Sequence, residues 1–209
     1  MTGSRTRLVL WRHGQTDHNV ERRFQGQADV PLNEVGLGQA QQAAALLAQL
    51  PVDVVVSSPL RRALVTSQTL AKRLALPVAT DDRLMEISVG SWEGLLDSDV
   101  YAAHPDFALA LDEGRDFRRS PEGETALEVG ERVGAALREI ADANPGKTVV
   151  VGCHGLAIRM GTANVLGWDY PTTTRLASMF NCGWTTLTAR PQGDWKLVTW
   201  NQVALQRPS

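Results

Sequence analysis

Two short apolar runs, "LVLW" and "TVVVG", each end on a histidine-glycine pair: the first stops at Arg12, His13 and Gly14, the second at Cys153, His154 and Gly155. A run of apolar residues without polar alternation fits a strand buried on both faces, and such strands lie in sheets covered by helices above and below. In sheets of that kind, ligands bind outside the carboxyl ends of the strands. Two imidazoles that each follow the last residue of a strand are therefore expected on one edge of one sheet. After a single strand, Arg-His-Gly is ordinary loop chemistry. Repeated at a second strand end, it reads as a candidate phosphate site.

The chain between and after these runs supplies the elements such a sheet needs. "RLVLW" at residues 7–11 is the first strand, followed by a loop rich in Gln, Asp, Asn and Gly that extends to Asn33. Leu37, Ala40, Ala44 and Leu47 then recur at helical spacing, with Asn33 as N-cap and Pro51 beyond the end. "DVVVSS" at 53–58 is a second buried strand. Pro59 is expected at the first position of the next helix, whose apolar face carries Leu60, Leu64 and Leu74. A short strand in "LPVAT" leads to the loop "RLMEISVGSWEG". Residues 95–124, where Pro105, Pro121 and Gly123 break up short helical pieces, are expected to form an insertion covering the site. Thr125 and Glu128 have capping-box spacing at the head of a helix with Val129, Val133, Leu137 and Ile140. "KTVVVGC" is the next buried strand and "LAIRMGTANVLG" the helix after it, while "MFNCGWTTLTAR" and "WKLVTWN" read as an antiparallel hairpin at one edge. The fold class is α/β: a three-layer αβα sandwich with a mostly parallel sheet and an antiparallel edge, in a single domain over residues 1–209.

Composition narrows the partners. With 209 residues, 43% of them hydrophobic and 21% charged, the chain can bury a substantial core. A formal charge of -2 gives no global attraction to nucleic acid or acidic membranes. No apolar run approaches the roughly 20 residues of a membrane helix. "MTGSRTR" lacks the pattern of a secretory leader, and Cys153 and Cys182 make no C-x-x-C pair. The expectation is a cytoplasmic protein with a small-molecule partner, no nucleic acid and no membrane. An exposed edge of the terminal hairpin allows a homodimer.

The stretches "RHGQTDHN", "FQGQADVPLNEVG", "SSPLRRALVTSQT", "RLMEISVGSWEG", "EGET" and "VVGCHGLAIR", in this order over about residues 7–160, resemble the histidine phosphatase superfamily, in its phosphoglycerate mutase-like phosphatase branch. The resemblance implies a phosphoglycerate mutase-like fold and a phosphohistidine intermediate, formed and then hydrolysed by water in two in-line displacements. The chemistry of the residues agrees. A phosphate monoester carries close to two negative charges and needs fixed cations and donors around its oxygens. Arg12 and Arg62 offer planar forks of donors, the family spacing S-S-x-L-x-R-A selecting Arg62 over its neighbour Arg61. Asn19 and Gln25 can add neutral donors, or serve only as turn formers. A neutral imidazole attacks phosphorus when one nitrogen holds its proton in an oriented hydrogen bond and the other faces the substrate. His13 is assigned that role. His154, followed by Gly155, would stabilise the transferring phosphoryl group by charge and hydrogen bonding.

An alkoxide leaves poorly, so a proton must reach the bridging oxygen. Glu86 fits as donor, a role for which its pKa would have to rise by partial burial against neighbours such as Trp92, opposed by nearby arginines; the alternative is an ordinary loop glutamate. No metal or other cofactor is expected, because arginines and histidines supply the charge that magnesium supplies elsewhere and no H-x-x-E-H, C-x-x-C or Asp-rich loop occurs. His18 and His104 read as solvent-facing or structural, Cys153 as a core thiol, and Arg118-Arg119 as a solvated pair.

Two other functions remain open at the level of sequence. Cofactor-dependent phosphoglycerate mutases carry a Y-G-x-L-x-G-L-N-K segment that is replaced here by "GSWEGLLDSDVYAAHP", which favours a phosphatase. A catalytically silent regulatory relative is disfavoured by the complete catalytic set. The substrate is expected to be a small phosphate ester, a sugar phosphate or a phosphoglycerate derivative, contacted beyond its phosphate by the insertion with its Tyr101, Phe107 and Phe117. "FQGQ" and the final "TWN" resemble the actinobacterial glucosyl-3-phosphoglycerate phosphatases, whereas "FQG" with "WEGL" also suits broad-specificity acid phosphatases.

Overall fold

The apolar runs do become strands. In a computed structural model, which describes residues 5–190 and 193–204, the strands are β1 (Thr6–Arg12), β2 (Val54–Ser57), β3 (Val78–Thr80), β4 (Thr148–Cys153), β5 (Trp184–Ala189) and β6 (Trp195–Gln202). They form one sheet in the order β3-β2-β4-β1-β5-β6. β3, β2, β4 and β1 run parallel, and β5 and β6 close the other edge antiparallel. The helices are α1 (Asp17–Val20), α2 (Glu34–Leu47), α3 (Arg61–Leu74), α4 (Asp97–Ala103), α5 (Pro105–Asp112), α6 (Ala126–Ala143), α7 (Gly155–Leu166) and α8 (Tyr170–Thr173).

Period-two alternation along the central strands divides the core into two layers. Leu8 and Leu10 of β1, with Val149, Val151 and Cys153 of β4, join the cluster that holds Val133 and Leu137 of α6 and Ile158 of α7. Val9 and Trp11, with Val150, pack instead with Ala40, Ala44 and Leu47 of α2 and Leu70 of α3. The result is the three-layer αβα sandwich expected from the sequence. Cys153 faces the core as anticipated, and burial pushes its thiol up to about 12.

Several local expectations are corrected. Leu37 is 41% exposed, because the inner face of α2 is built on Gly36, Ala40, Ala43, Ala44 and Leu47. α3 begins at Arg61, not Pro59: the Asp29 carboxylate, from the loop before α2, accepts the Arg61 N–H at 2.7 Å. A side chain from elsewhere in the chain thus does what a local cap would do. The long polar loop contains α1, closed by a capping box between Thr16 and Asn19. The capping box of Thr125 and Glu128 opens α6 as read. The first hairpin strand starts only at Trp184, and part of the intervening "PQGD", Pro191 and Gln192, lies outside the described residues.

Register decides where the chemistry sits. β1 and β4 are adjacent and parallel, with Arg12 opposite Cys153, so His13 and His154 emerge side by side at the same end of the sheet. Gly14 lets the chain leaving β1 pass against α2, since a Cβ there would lie 2.4 Å from the Gly36 carbonyl oxygen.

Candidate active site

His13 and His154 are buried, with ring centroids 5.2 Å apart. His13 Nδ1 lies 2.7 Å from the Gly14 carbonyl oxygen, which can only accept, so Nδ1 carries the proton and Nε2 presents its lone pair. Burial, reinforced by the Arg12 and Arg62 charges, holds the His13 pKa well below the usual histidine value, although the Gly14 contact opposes this. The ring is neutral at physiological pH. His154 is held low by burial first and then by Arg62, His13 and Arg12. Its Nε2 is 2.8 Å from the Ser58 hydroxyl at the end of β2. Ser58 Oγ also accepts from the Leu60 N–H, and with its hydrogen and a second lone pair left it can meet either tautomer of His154.

Both arginines are aimed by backbone carbonyls. Arg62 is fully buried at the head of α3, donating from Nη1 to Ala28 O at 2.6 Å and from Nη2 to Gly26 O at 2.8 Å. Arg12 donates from Nη1 to Met179 O. Burial lowers the pKa of each, and the nearby Glu86 carboxylate opposes that shift. Gly155 leaves room for Arg12, because a Cβ there would stand 3.3 Å from Arg12 Nε. Arg12 Nε, Arg62 Nε and His154 Nδ1 are buried with no hydrogen-bond partner among the described residues. Unpaired buried donors are rare because each costs roughly 1–3 kcal/mol. The two guanidinium Nε–H groups beside a neutral imidazole are suited to the oxygens of one anion, and His154 Nδ1 is a third unpaired polar atom next to them.

These groups adjoin a cavity of about 300 Å³ whose wall includes Arg12, His13, Gln25, Arg62 and Glu86. Gln25 Oε1 accepts from the Thr16 hydroxyl at 2.9 Å, which leaves its NH₂ as a donor on a residue that lines the cavity. Glu86 comes from the loop after β3. Its Oε1 accepts from Ile87 N and Ala157 N, and its Oε2 from Leu156 N, so the carboxylate sits at the N-terminus of α7. Asn19 is not part of this wall: its Oδ1 accepts from Thr16 N at 3.1 Å and from Asn181 Nδ2 at 3.2 Å. His154 stands behind the wall, and Gly155 lines a smaller adjoining cavity with Arg12 and Glu86.

The structure adds residues that sequence reasoning passed over. Arg119, read as half of a solvated pair, is only 4% exposed, lies 3.1 Å from the Asp116 carboxylate and covers the Phe107 ring at 5.2 Å. It lines the cavity with Tyr101 and Phe107 of the 95–124 segment. Arg118 alone is the surface member, paired with Glu128. Arg159 lines both cavities and has neither an ion pair nor a hydrogen-bond acceptor among the described residues; burial lowers its pKa. A signal for Arg159 existed: it lies four residues after Gly155, on the helix face that starts at the site. His104 packs against Trp92, with centroids 4.9 Å apart and the rings tilted by 38°. Among the described residues, no group of three His, Cys, Asp or Glu side chains is arranged to hold a metal ion. No described helix is long and apolar enough to cross a membrane.

Comparison with known proteins gives the same architecture and motifs. Residues 8–203 match the family model "Histidine phosphatase superfamily (branch 1)". The chain is 36% identical over 216 residues to a glucosyl-3-phosphoglycerate phosphatase of Mycolicibacterium vanbaalenii, covering 95% of each. It is 33% identical over 175 residues to a probable phosphoglycerate mutase of Shigella boydii, covering 84% of this chain and 81% of that one. The structure of the mycobacterial glucosyl-3-phosphoglycerate phosphatase complexed with VO3 superposes with a TM-score of 0.85 at 36% identity, over 93% of this chain and 98% of the other.

Proposed function

Because this chain belongs to the histidine phosphatase superfamily and is a phosphatase of it, we propose that His13 is its nucleophile, Glu86 its proton donor, and a phosphorylated glycerate such as glucosyl-3-phosphoglycerate its substrate. The observation that carries the assignment is the available lone pair of His13 Nε2 in a cavity wall that His13 shares with Arg12 and Arg62, whose buried Nε–H groups have no partner among the described residues. His13 Nε2 attacks phosphorus while the bond to the bridging oxygen breaks. Glu86 delivers a proton to that oxygen, and the alcohol departs. Water then attacks the phosphohistidine from the side the alcohol vacated and gives its proton to Glu86, releasing inorganic phosphate. Arg12, Arg62, His154 and Gln25 hold the equatorial oxygens through both displacements, with charge enough to dispense with a metal.

The substrate assignment rests on the cavity as well as on the relatives. Arg159, with no ion pair among the described residues, adds positive charge on the wall beyond the phosphate groups, while Arg119, paired with Asp116, stands near the apolar rings of Tyr101 and Phe107. A dianionic phosphate alone does not call for this further cation; a phosphate with a neighbouring carboxylate does. The sugar would then lie against the rings.

Phosphate release in EDTA is the test, from glucosyl-3-phosphoglycerate, 3-phosphoglycerate, fructose 2,6-bisphosphate and p-nitrophenyl phosphate, beside an assay for 3- to 2-phosphoglycerate isomerisation. Preferred hydrolysis of the glycerate esters supports the proposal; isomerisation without release favours a mutase, and silence in both a binding role. Acid-quenched enzyme should carry an acid-labile, base-stable phosphoryl group, and His13→Ala should carry none while keeping its circular dichroism. Near-normal turnover by His13→Ala would remove the nucleophile assignment.

A further inference from the structure

Glu86 has to present its carboxyl to the bridging oxygen, yet its loop belongs to neither sheet nor helix: it joins two short 3-10 turns, Asp82–Leu84 and Gly90–Trp92. Side-chain contacts do not fully fix the carboxyl either. The bond from Ile87 N, at 2.9 Å, comes from the same loop, and those from Leu156 N and Ala157 N of α7 are 3.2 and 3.1 Å, long for bonds to a carboxylate. The loop backbone is held from another element. Arg132 on α6 donates from Nη1 to the carbonyls of Arg83 and Met85, at 2.9 and 2.7 Å, and from Nη2 to the carbonyl of Glu86 itself, at 2.9 Å. Its remaining donors grip Glu124, Nε to Oε1 and Nη2 to Oε2, each at 2.8 Å. Glu124 in turn accepts from Ser88 N through Oε2 and donates its own N–H to Ser88 O, both at 2.8 Å. Carbonyls on one side of Glu86 and the peptide groups of Ser88 on the other are thus tied to one ion pair.

We propose that Arg132, oriented by Glu124, is a positioning residue for the proton donor: it sets where the Glu86 carboxyl stands relative to the leaving oxygen. Arg132 lines neither of the cavities at the site, so it acts through Glu86 and not on the substrate. The fork geometry matters. One guanidinium serves five acceptor contacts from three sides, whereas an ammonium is a point donor with three N–H bonds and cannot span them. Displacement of a catalytic group by about 1 Å costs on the order of a hundredfold in rate.

The inference rests on Glu86 being the proton donor, and the test separates the two. Arg132→Met and Glu86→Gln are compared, singly and together, on 3-phosphoglycerate, whose alkoxide needs a proton, and on p-nitrophenyl phosphate, whose leaving group needs less help. We expect Arg132→Met to lower kcat on 3-phosphoglycerate by about 10- to 100-fold, to lower it on p-nitrophenyl phosphate by less than about threefold, and to leave KM nearly unchanged. The double variant should be no slower than Glu86→Gln, because both changes act through one group. Parallel losses on the two substrates, or additive losses in the double variant, overturn the positioning role. A Glu86→Gln variant that loses equally on both substrates overturns the proton-donor assignment first and this inference with it. If Arg132→Met does not fold, Arg132→Lys carries the same comparison, with the same leaving-group dependence at smaller amplitude.

Discussion

At the scale of the residue, the site separates groups recognisable by type from groups recognisable only by environment. Arg12, His13, Arg62, Glu86 and His154 stood out in the sequence because their chemistry and order point to phosphate. Arg119 did not, because adjacent arginines are ordinarily solvated, and nothing in "FRRS" tells which one turns inward. Its burial depends on Asp116 and on the Phe107 ring from α5. Arg159 has no protein acceptor among the described residues, which makes its contribution to affinity measurable. Arg159→Ala should raise KM for 3-phosphoglycerate by about tenfold or more, the worth of one charge-assisted hydrogen bond, and leave p-nitrophenyl phosphate little changed. Equal effects on the two substrates would argue against a carboxylate contact. The neutral His13 also bears on pH. A nucleophilic imidazole works only unprotonated, and its pKa is lowered, so the acid limb of kcat/KM should fall below pH 6.5. A limb centred at or above the ordinary histidine value would contradict the burial that the structure gives this ring.

Elements were legible where the determinant is local. The strands, the capped start of α6 and the N-cap of α2 at Asn33 follow from apolar runs and capping chemistry within a few residues. The start of α3 is not legible because its first N–H is satisfied by Asp29, 32 residues upstream, and a contact at that separation leaves no local trace. Spacing alone groups Leu37 with Ala40, Ala44 and Leu47, but which arc of α2 turns inward is set by how closely its backbone meets the chain leaving β1. That approach is itself testable. Gly14→Ala would drive a methyl group to 2.4 Å from a backbone oxygen of α2, which neither partner can move away easily. The expected cost is about 1–3 kcal/mol, read as a lower urea midpoint, with a loss of turnover because His13 follows the same backbone. A variant of unchanged stability and activity would mean that the α2 contact does not constrain the nucleophile loop.

For the whole molecule, the buried histidines link stability to pH. His13 and His154 both have folded pKa values below the unfolded value near 6.5, so between the two the unfolded chain binds more protons. Their contribution is therefore complete above about pH 6.5 and lost as pH falls below it, at up to about 1.4 kcal/mol per pH unit for each. Urea unfolding at pH 7.5 and 5.5 should show this loss, and His13→Asn should lessen it; a pH-independent midpoint in both proteins would sink the linkage. The sequence by itself determined the α/β class, the parallel core with its antiparallel edge, and the residue types that handle phosphate, because hydrophobic period, capping and functional-group chemistry are written into short stretches of chain. Only the tertiary structure decided which donors meet at one point, which arginine of a pair is buried, and how Arg132 holds the loop of Glu86. Those outcomes depend on strand register and on side chains brought together from distant segments, and no local pattern encodes them.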